Sequence, residues 1–213
     1  MPPPSGSTPI LHLPYPIPDD TVDVPRDIKA LADRLDPLLG GIVTALPGSP
    51  IDGQEIYYQS PAMATDGNLW HLRYRAAAAG ASKWEFVGGA ALFGETPDAE
   101  GGAPNGSYGA LPHAGPAVTL PLPGDYLVEI GAGFTGTVDM QGRMSYDIGA
   151  TGAVDADAVF ARIDSTARQF SGSRARRKTA LGAGALIAKY KVSAAGGHLF
   201  QDRWIKVTPI RVG

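Results

Sequence analysis

Hydrophobic residues recur along this chain in two periods, and the change of period divides it. Val24, Ile28, Leu31, Leu35 and Leu38 are spaced alternately four and three apart, with Arg26, Asp27, Lys29, Asp33, Arg34 and Asp36 between them. This stripe is the narrow seam of a coiled coil and predicts one short helix. Asp19, Asp20, Thr21 and Asp23 offer N-cap chemistry ahead of it, and Pro25 suits its first turn. Pro37 ends the regular helix near Asp36, and Gly40-Gly41 blocks any continuation. About three turns is marginal alone in water, so the stripe needs a surface. That surface is either the same stripe on neighbouring copies or the chain's own sheet.

From Pro47 the period becomes two. Residues 54–59, 68–75 and 83–87 read as strands, with Trp70, Leu72 and Tyr74 on one face of the second and Gly88-Gly89 stopping the third. Residues 76–81 are a turn of small residues. Together residues 47–93 predict a three-stranded meander, the minimum for a stable sheet. Residues 94–116 are rich in Gly and Pro and lack periodicity, which predicts a linker. Beyond it, strands are expected at 117–122, 126–134, 143–148, 167–181, 186–192 and 203–212, with 155–165 as a helix or long loop. This spacing is that of an all-β sandwich over 117–213.

Residues 1–46 divide differently. Seven prolines among the first eighteen residues predict an extended, partly polyproline-II arm that carries Ile10, Leu11, Leu13, Tyr15 and Ile17. Such an arm cannot bury those side chains against itself. It is either a loose terminus or a segment that docks on a partner subunit.

Composition sharpens this picture in three places. The 28 Gly and 19 Pro among 213 residues are roughly twice the usual share and exclude a helical bundle. The chain has no Cys, which excludes disulfides, Cys-ligated metal and thiol chemistry. A net charge of −3 gives no global reason to expect nucleic acid as a partner. The first nine residues lack the basic stretch and apolar core of a signal peptide, and no run is long enough for a membrane span.

Candidate chemistry is sparse. His12, His71, His113 and His198 are not at ligand spacings, and no nucleophile elbow or dinucleotide fingerprint is present. Asp155, Asp157 and Asp164 resemble part of a calcium loop, but its central Gly and terminal Glu are missing. No catalytic residue, cofactor or metal is therefore expected. One cluster stands out: Arg174, Arg176, Arg177 and Lys178. Alternation sends Arg174 and Arg176 to one face and Arg177 to the other, as on a charged edge strand; the alternative is contact with an anionic polymer. Loops 136–142, 149–157 and 194–202 should gather at the ends of the sandwich. They bring Asp139, Gln141, Asp155, Asp157, His198 and Gln201 as hydrogen-bonding groups. Phe200 is either a stacking surface there or a core residue.

The segments Asp52–Tyr58, Leu69–Tyr74 and Lys83–Gly89 resemble a module of tailed-bacteriophage virion proteins, found in minor tail, tail-fibre and head-fibre chains of actinobacterial phages. Leu13–Tyr15 through Val24–Ala32 is similar to the N-terminal piece that accompanies it. Pro123-Gly124-Asp125-Tyr126 and the closing Trp204-Ile205-Lys206-Val207 are similar to the trimeric jelly rolls of the tumour-necrosis-factor and complement-C1q type. The resemblance implies a structural, non-enzymatic virion protein assembled in the host cytoplasm, usually a homotrimer. Its partners would be capsid or tail proteins of the same particle and a host-surface glycan. The expected function is a fibre or minor tail protein that presents its head for receptor binding. The alternatives are a capsid or tail decoration (cement) protein and, more remotely, a glycan depolymerase, for which no carboxylate pair stands out.

Overall fold

The computed structural model describes residues 6–7, 14–15, 24–35, 41–136, 139–149, 151–163, 169–193 and 197–213. In chain order the elements are β1 (Gly6–Ser7), β2 (Pro14–Tyr15), α1 (Val24–Leu35), β3 (Ile42–Val43), β4 (Glu55–Tyr58), α2 (Pro61–Thr65), β5 (Trp70–Tyr74), β6 (Trp84–Gly89) and β7 (Leu92–Thr96). They continue as β8 (Ala117–Leu120), β9 (Gly124–Thr135), β10 (Gln141–Ile148), a short 3-10 turn at Asp155–Asp157, β11 (Val159–Arg162), β12 (Phe170–Leu181), β13 (Gly184–Val192) and β14 (Leu199–Val212). The protein is mainly β, as its alternating pattern predicts.

Eight of these strands form a sandwich with jelly-roll pairing. β7 pairs with β14, β8 with β13, β9 with β12 and β10 with β11, all antiparallel. The pairs β9–β14 and β10–β13 then join them into one sheet ordered β12-β9-β14-β7 and another ordered β11-β10-β13-β8. This nesting of the first strand with the last is the double Greek key of a jelly roll. The larger sheet does not stop there. Arg211 and Val212 at the end of β14 pair with β6, and β5, β4 and the parallel β3 follow outward.

Alternation builds the core. Tyr126, Val128, Ile130, Ala132 and Phe134 of β9 face Leu186, Ala188, Tyr190 and Val192 of β13 and Met144 and Tyr146 of β10, all buried. The meander adds to the same cluster. Trp70 is fully buried against Phe86, Tyr58 and Tyr126, so an aromatic stack crosses from the meander into the sandwich.

This continuity corrects the expected division at 94–116. β7 reaches Thr96 and hydrogen-bonds along β14, Leu111 is buried, and residues 100, 105 and 109 bridge to β14 and β13. The segment carries Gly and Pro because it folds over a sheet, not because it separates domains. The sandwich accordingly begins at Leu92 rather than residue 117; β6 ends at Gly89, as expected, and the chain resumes as β7 after two intervening residues. Residues 155–165, expected as helix or loop, hold the 3-10 turn and β11. Helix α2 was not anticipated, although Ser60 accepts a hydrogen bond from Met63 N and Pro61 opens the helix.

Helix α1 runs over Val24–Leu35, close to the expected stop, with Lys29 and Asp33 paired one turn apart. Among the described side chains of α1, none belongs to the apolar cluster, and Ile28 is 61% exposed. The expected arm is partly folded back. Gly6–Ser7 pairs antiparallel with Pro14–Tyr15, a two-stranded contact in which the absent amide of Pro14 is tolerated. Ile10, Leu11, Leu13, Ile17 and Leu38 lie outside the described residues.

The shared sheet generates a direct expectation. A fragment of residues 41–213 should be monodisperse and melt cooperatively. A fragment of residues 117–213 should not, because loss of β7 and β6 opens one side of β14 to edge pairing and removes the Trp70 stack. Size-exclusion chromatography with circular dichroism distinguishes the two, and a well-behaved 117–213 would restore a domain boundary.

Candidate functional site

The basic cluster lies on β12, the free edge of the large sheet. Arg174, Arg176 and Lys178 stand opposite Ile130, Val128 and Tyr126 of β9 and share their core-side face, whereas Arg177 opposes Leu127 on the outer face. The alternation is as the sequence predicts. The three core-side cations overhang the open flank of the sandwich. Arg176 donates from Nε and NH2 to Ala156 O at 3.1 and 2.9 Å, and Lys178 pairs with Asp157. Arg177 NH2 sits 3.5 Å from Asp125 Oδ2. Beneath them, burial raises the pKa of the Tyr146 hydroxyl; the Asp157 charge adds to the shift, and Arg176 and Arg174 oppose it. Inward-pointing charges of this kind discourage edge-to-edge pairing. Arg176, Arg177 and Lys178 are thus held by groups of their own chain.

His198 and Phe200 do not join that cluster, nor do they serve as exposed loop groups. His198 is 1% exposed, between Phe134 and Phe200 at ring-centroid distances of 6.2 and 5.3 Å. Its ring rests on Gly142, where a Cβ would lie 1.9 Å from Nε2. Among the described residues, neither ring nitrogen has a hydrogen-bond partner. Phe200 is fully buried against Phe134 and Tyr190. The physical reason is that β14 begins at Leu199, four residues earlier than the pattern suggests, and a register shift between Gln201 and Trp204 sets Phe200 opposite the buried Phe134. Burial alone lowers the pKa of His198 below the usual imidazole value.

The expected loop carboxylates are also engaged. Asp155 accepts from Lys191 Nζ at 2.6 Å and Tyr108 OH at 2.8 Å and pairs with Arg143 at 2.8 Å. These hydrogen bonds and charges hold its carboxyl below the ordinary range against a smaller effect of burial. Asp139 pairs with Arg162, and Gln141 accepts from Arg143. Among the described residues, no three of His, Asp and Glu converge as a metal site would require. His71 is half-buried, stacked on Tyr57 and 2.8 Å from Glu55 Oε2.

Two features escaped the sequence reading. Arg203 is 1% exposed, with NH2 donating to Asp98 O at 3.1 Å, NH1 3.5 Å from Glu100 Oε2, and its guanidinium over the Tyr190 ring. Glu100 also accepts from the backbone N and ring Nδ1 of His113, both at 2.7 Å. This network ties residues 98–113 to the sandwich. The second feature is the outer face of the large sheet. There Trp204 lies across Gly131, whose Cβ would sit 2.4 Å from the indole Cε2. Phe93 stacks beside the indole at 6.4 Å and is 54% exposed. An open groove of about 390 Å³ runs along the indole, bordered by Asp202, Ser171, Ser173 and Gly133. The available signal was Gly131-Ala132-Gly133 inside a long strand candidate, since a strand Gly often marks a close approach.

No helix among the described residues is long and apolar enough to cross a membrane. Compared with known proteins, the chain matches no family model, and no curated protein is significantly similar to it.

Two buried groups set measurable stabilities. His198 is protonated more readily in the unfolded chain, where imidazole titrates near pH 6.5, than in the fold. Stability should be unaffected by it above about pH 6.5 and fall as the pH drops toward its lower folded pKa. The melting temperature should therefore fall from pH 7.5 to pH 5, and the fall should shrink in H198L; an equal fall in both would exclude His198 as the cause. Arg203→Ala leaves a cavity and removes the charge partner of Glu100. It should cost roughly 3–5 kcal/mol in urea denaturation, the range for breaking a buried pair.

Proposed function

We propose that this chain is a structural, non-enzymatic protein of a tailed-bacteriophage particle: a trimeric fibre or minor tail protein. Its N-terminal segment attaches to the particle and starts assembly, and its jelly roll is presented for contact with a host surface. The observation that carries this reading is helix α1: of its apolar stripe, the described side chains of Ile28 and Leu31 take no part in the sandwich core, and Ile28 is 61% exposed. A three-turn helix is marginal by itself, and the exposed Ile28 gains a covering surface when copies associate.

Two further features support the reading. The jelly roll recurs in viral capsid and lectin domains, an analogy of fold rather than of site. The resemblance of residues 10–92 to phage virion modules points to the same setting. A stripe with Ile and Leu in alternating seam positions does not itself select three strands; the similarity of the head to trimeric jelly rolls makes that choice.

Light scattering of the purified chain should give about three times 22.1 kDa. The double variant Ile28→Asp, Leu31→Asp should be monomeric with an unchanged sandwich melting transition. A monodisperse wild-type monomer would overturn the assembly reading. Electron microscopy of particles labelled at the head then separates the fibre from the decoration protein: label at the tail supports the former, label spread over the shell the latter.

A further inference from the structure

We propose that the groove beside Trp204, on the outer face of the large sheet, binds a neutral saccharide by stacking on the indole and hydrogen bonding to Asp202, Ser171 and Ser173. The proposal rests on the host-surface reading above and names the place where that contact is made. Trp204 lies with one ring face on Gly131 and borders an open groove of about 390 Å³, within the size range of ordinary ligand clefts. Phe93 extends the aromatic surface. Aromatic ring faces are electron-rich and attract polarised C–H groups, which the apolar face of a sugar ring supplies. The Ser171 and Ser173 hydroxyls and the Asp202 carboxylate supply acceptors and donors for its hydroxyl groups.

A tryptophan laid over a strand glycine is also a device for stabilising sheets. That packing accounts for Trp204 and Gly131, but not for Asp202. The pairing of β14 with β9 shifts register between Gln201 and Trp204, and Asp202 in the resulting bulge holds φ at 46°. Aspartate is one of the few non-glycine residues that enter this left-handed region, and the Asp202 N–H donates to Pro97 O at 3.0 Å, which holds the bulge and leaves the carboxylate free of the ladder. The bulge turns Arg203 into the core and leaves Asp202 at the mouth of the groove. Charge narrows the ligand class. Glu95 stands opposite Trp204 in the register, Asp202 borders the groove, and Lys206 is engaged by Glu129 at 3.0 Å. Phosphate-bearing or uronate-bearing glycans are disfavoured beside these carboxylates.

Trp70 and Trp84 are buried, so quenching of intrinsic fluorescence by added solutes reads Trp204. The full chain is titrated with cellotriose, maltotriose, mannotriose and galactotriose. At least one should shift this fluorescence and shield it from acrylamide. D202G should bind that sugar about tenfold more weakly, the loss of one charge-assisted hydrogen bond, while melting no lower than the wild type; D202N should lose affinity likewise. The proposal is overturned if none of the four binds, if both variants bind as the wild type does, or if only phosphate-bearing wall glycans bind. Shielding of Trp204 that rises with protein concentration without sugar, and is abolished by Ser173→Arg, would instead assign this face to contact between copies. Cell-binding assays keep the two readings apart. Full chain that adsorbs to host cells equally well as wild type and as D202G removes this site and leaves the host-surface role. Sugar binding without adsorption leaves the site and removes the role.

Discussion

Strand β14 lies between β9 on one side and β7 and β6 on the other, and the remaining architecture depends on that position. Its fourteen residues hydrogen-bond to strands drawn from residues 84–96 and 124–135, so its pairing with β7 closes a loop of more than a hundred residues. Such pairings must overcome the entropy of closing long loops before they stabilise anything, and β folds dominated by them form slowly. The same strand joins the meander to the jelly roll. Trp70 and Tyr126 meet only because β5, β6, β14 and β9 are consecutive in one sheet.

Three groups of polar contacts then fix what the backbone ladder leaves open. Arg203, pointing inward from the β14 bulge, holds Glu100 and the carbonyl of Asp98, and Glu100 holds His113. The long connection after β7 is thereby docked on the sandwich without regular structure of its own. Tyr108 and Asp155 do the same on the smaller sheet through Lys191 and Arg143. At the free edge, Arg176 and Lys178 reach across the flank to Ala156 and Asp157. Charges that lie between two sheet edges make an intruding strand costly and keep β12 from serving as a template for aggregation.

What is left over is the outer face at Trp204 and the stripe of α1. The first is flat because Gly131 and Gly133 have no side chains to raise above the sheet, and it is aromatic because the bulge rotates Trp204 outward. The second is apolar, and its described members Ile28 and Leu31 lie outside the core. The proposed saccharide groove and the proposed association helix lie on different elements, as attachment by one part and surface contact by another would require.

Much of the fold was legible in the sequence. Period-two runs such as Leu69–Tyr74 and Tyr126–Phe134 became strands, the four-and-three spacing of Val24 to Leu35 became a helix, and alternation along β12 correctly divided Arg174 and Arg176 from Arg177. These are local properties: which face a side chain takes depends on its neighbours' spacing and on backbone geometry. The sequence by itself therefore determined element type, facing and the mainly β class. Only the tertiary structure decided that Phe93 and Leu92 belong to a strand, that Phe200 and His198 point inward, that Arg203 is buried with Glu100, and that Asp202 stands at a groove. Each of these follows from pairing between distant segments or from a bulge of one extra residue, which reverses every facing after it. Neither leaves a trace in local periodicity, because the partner that sets the register lies a hundred residues away.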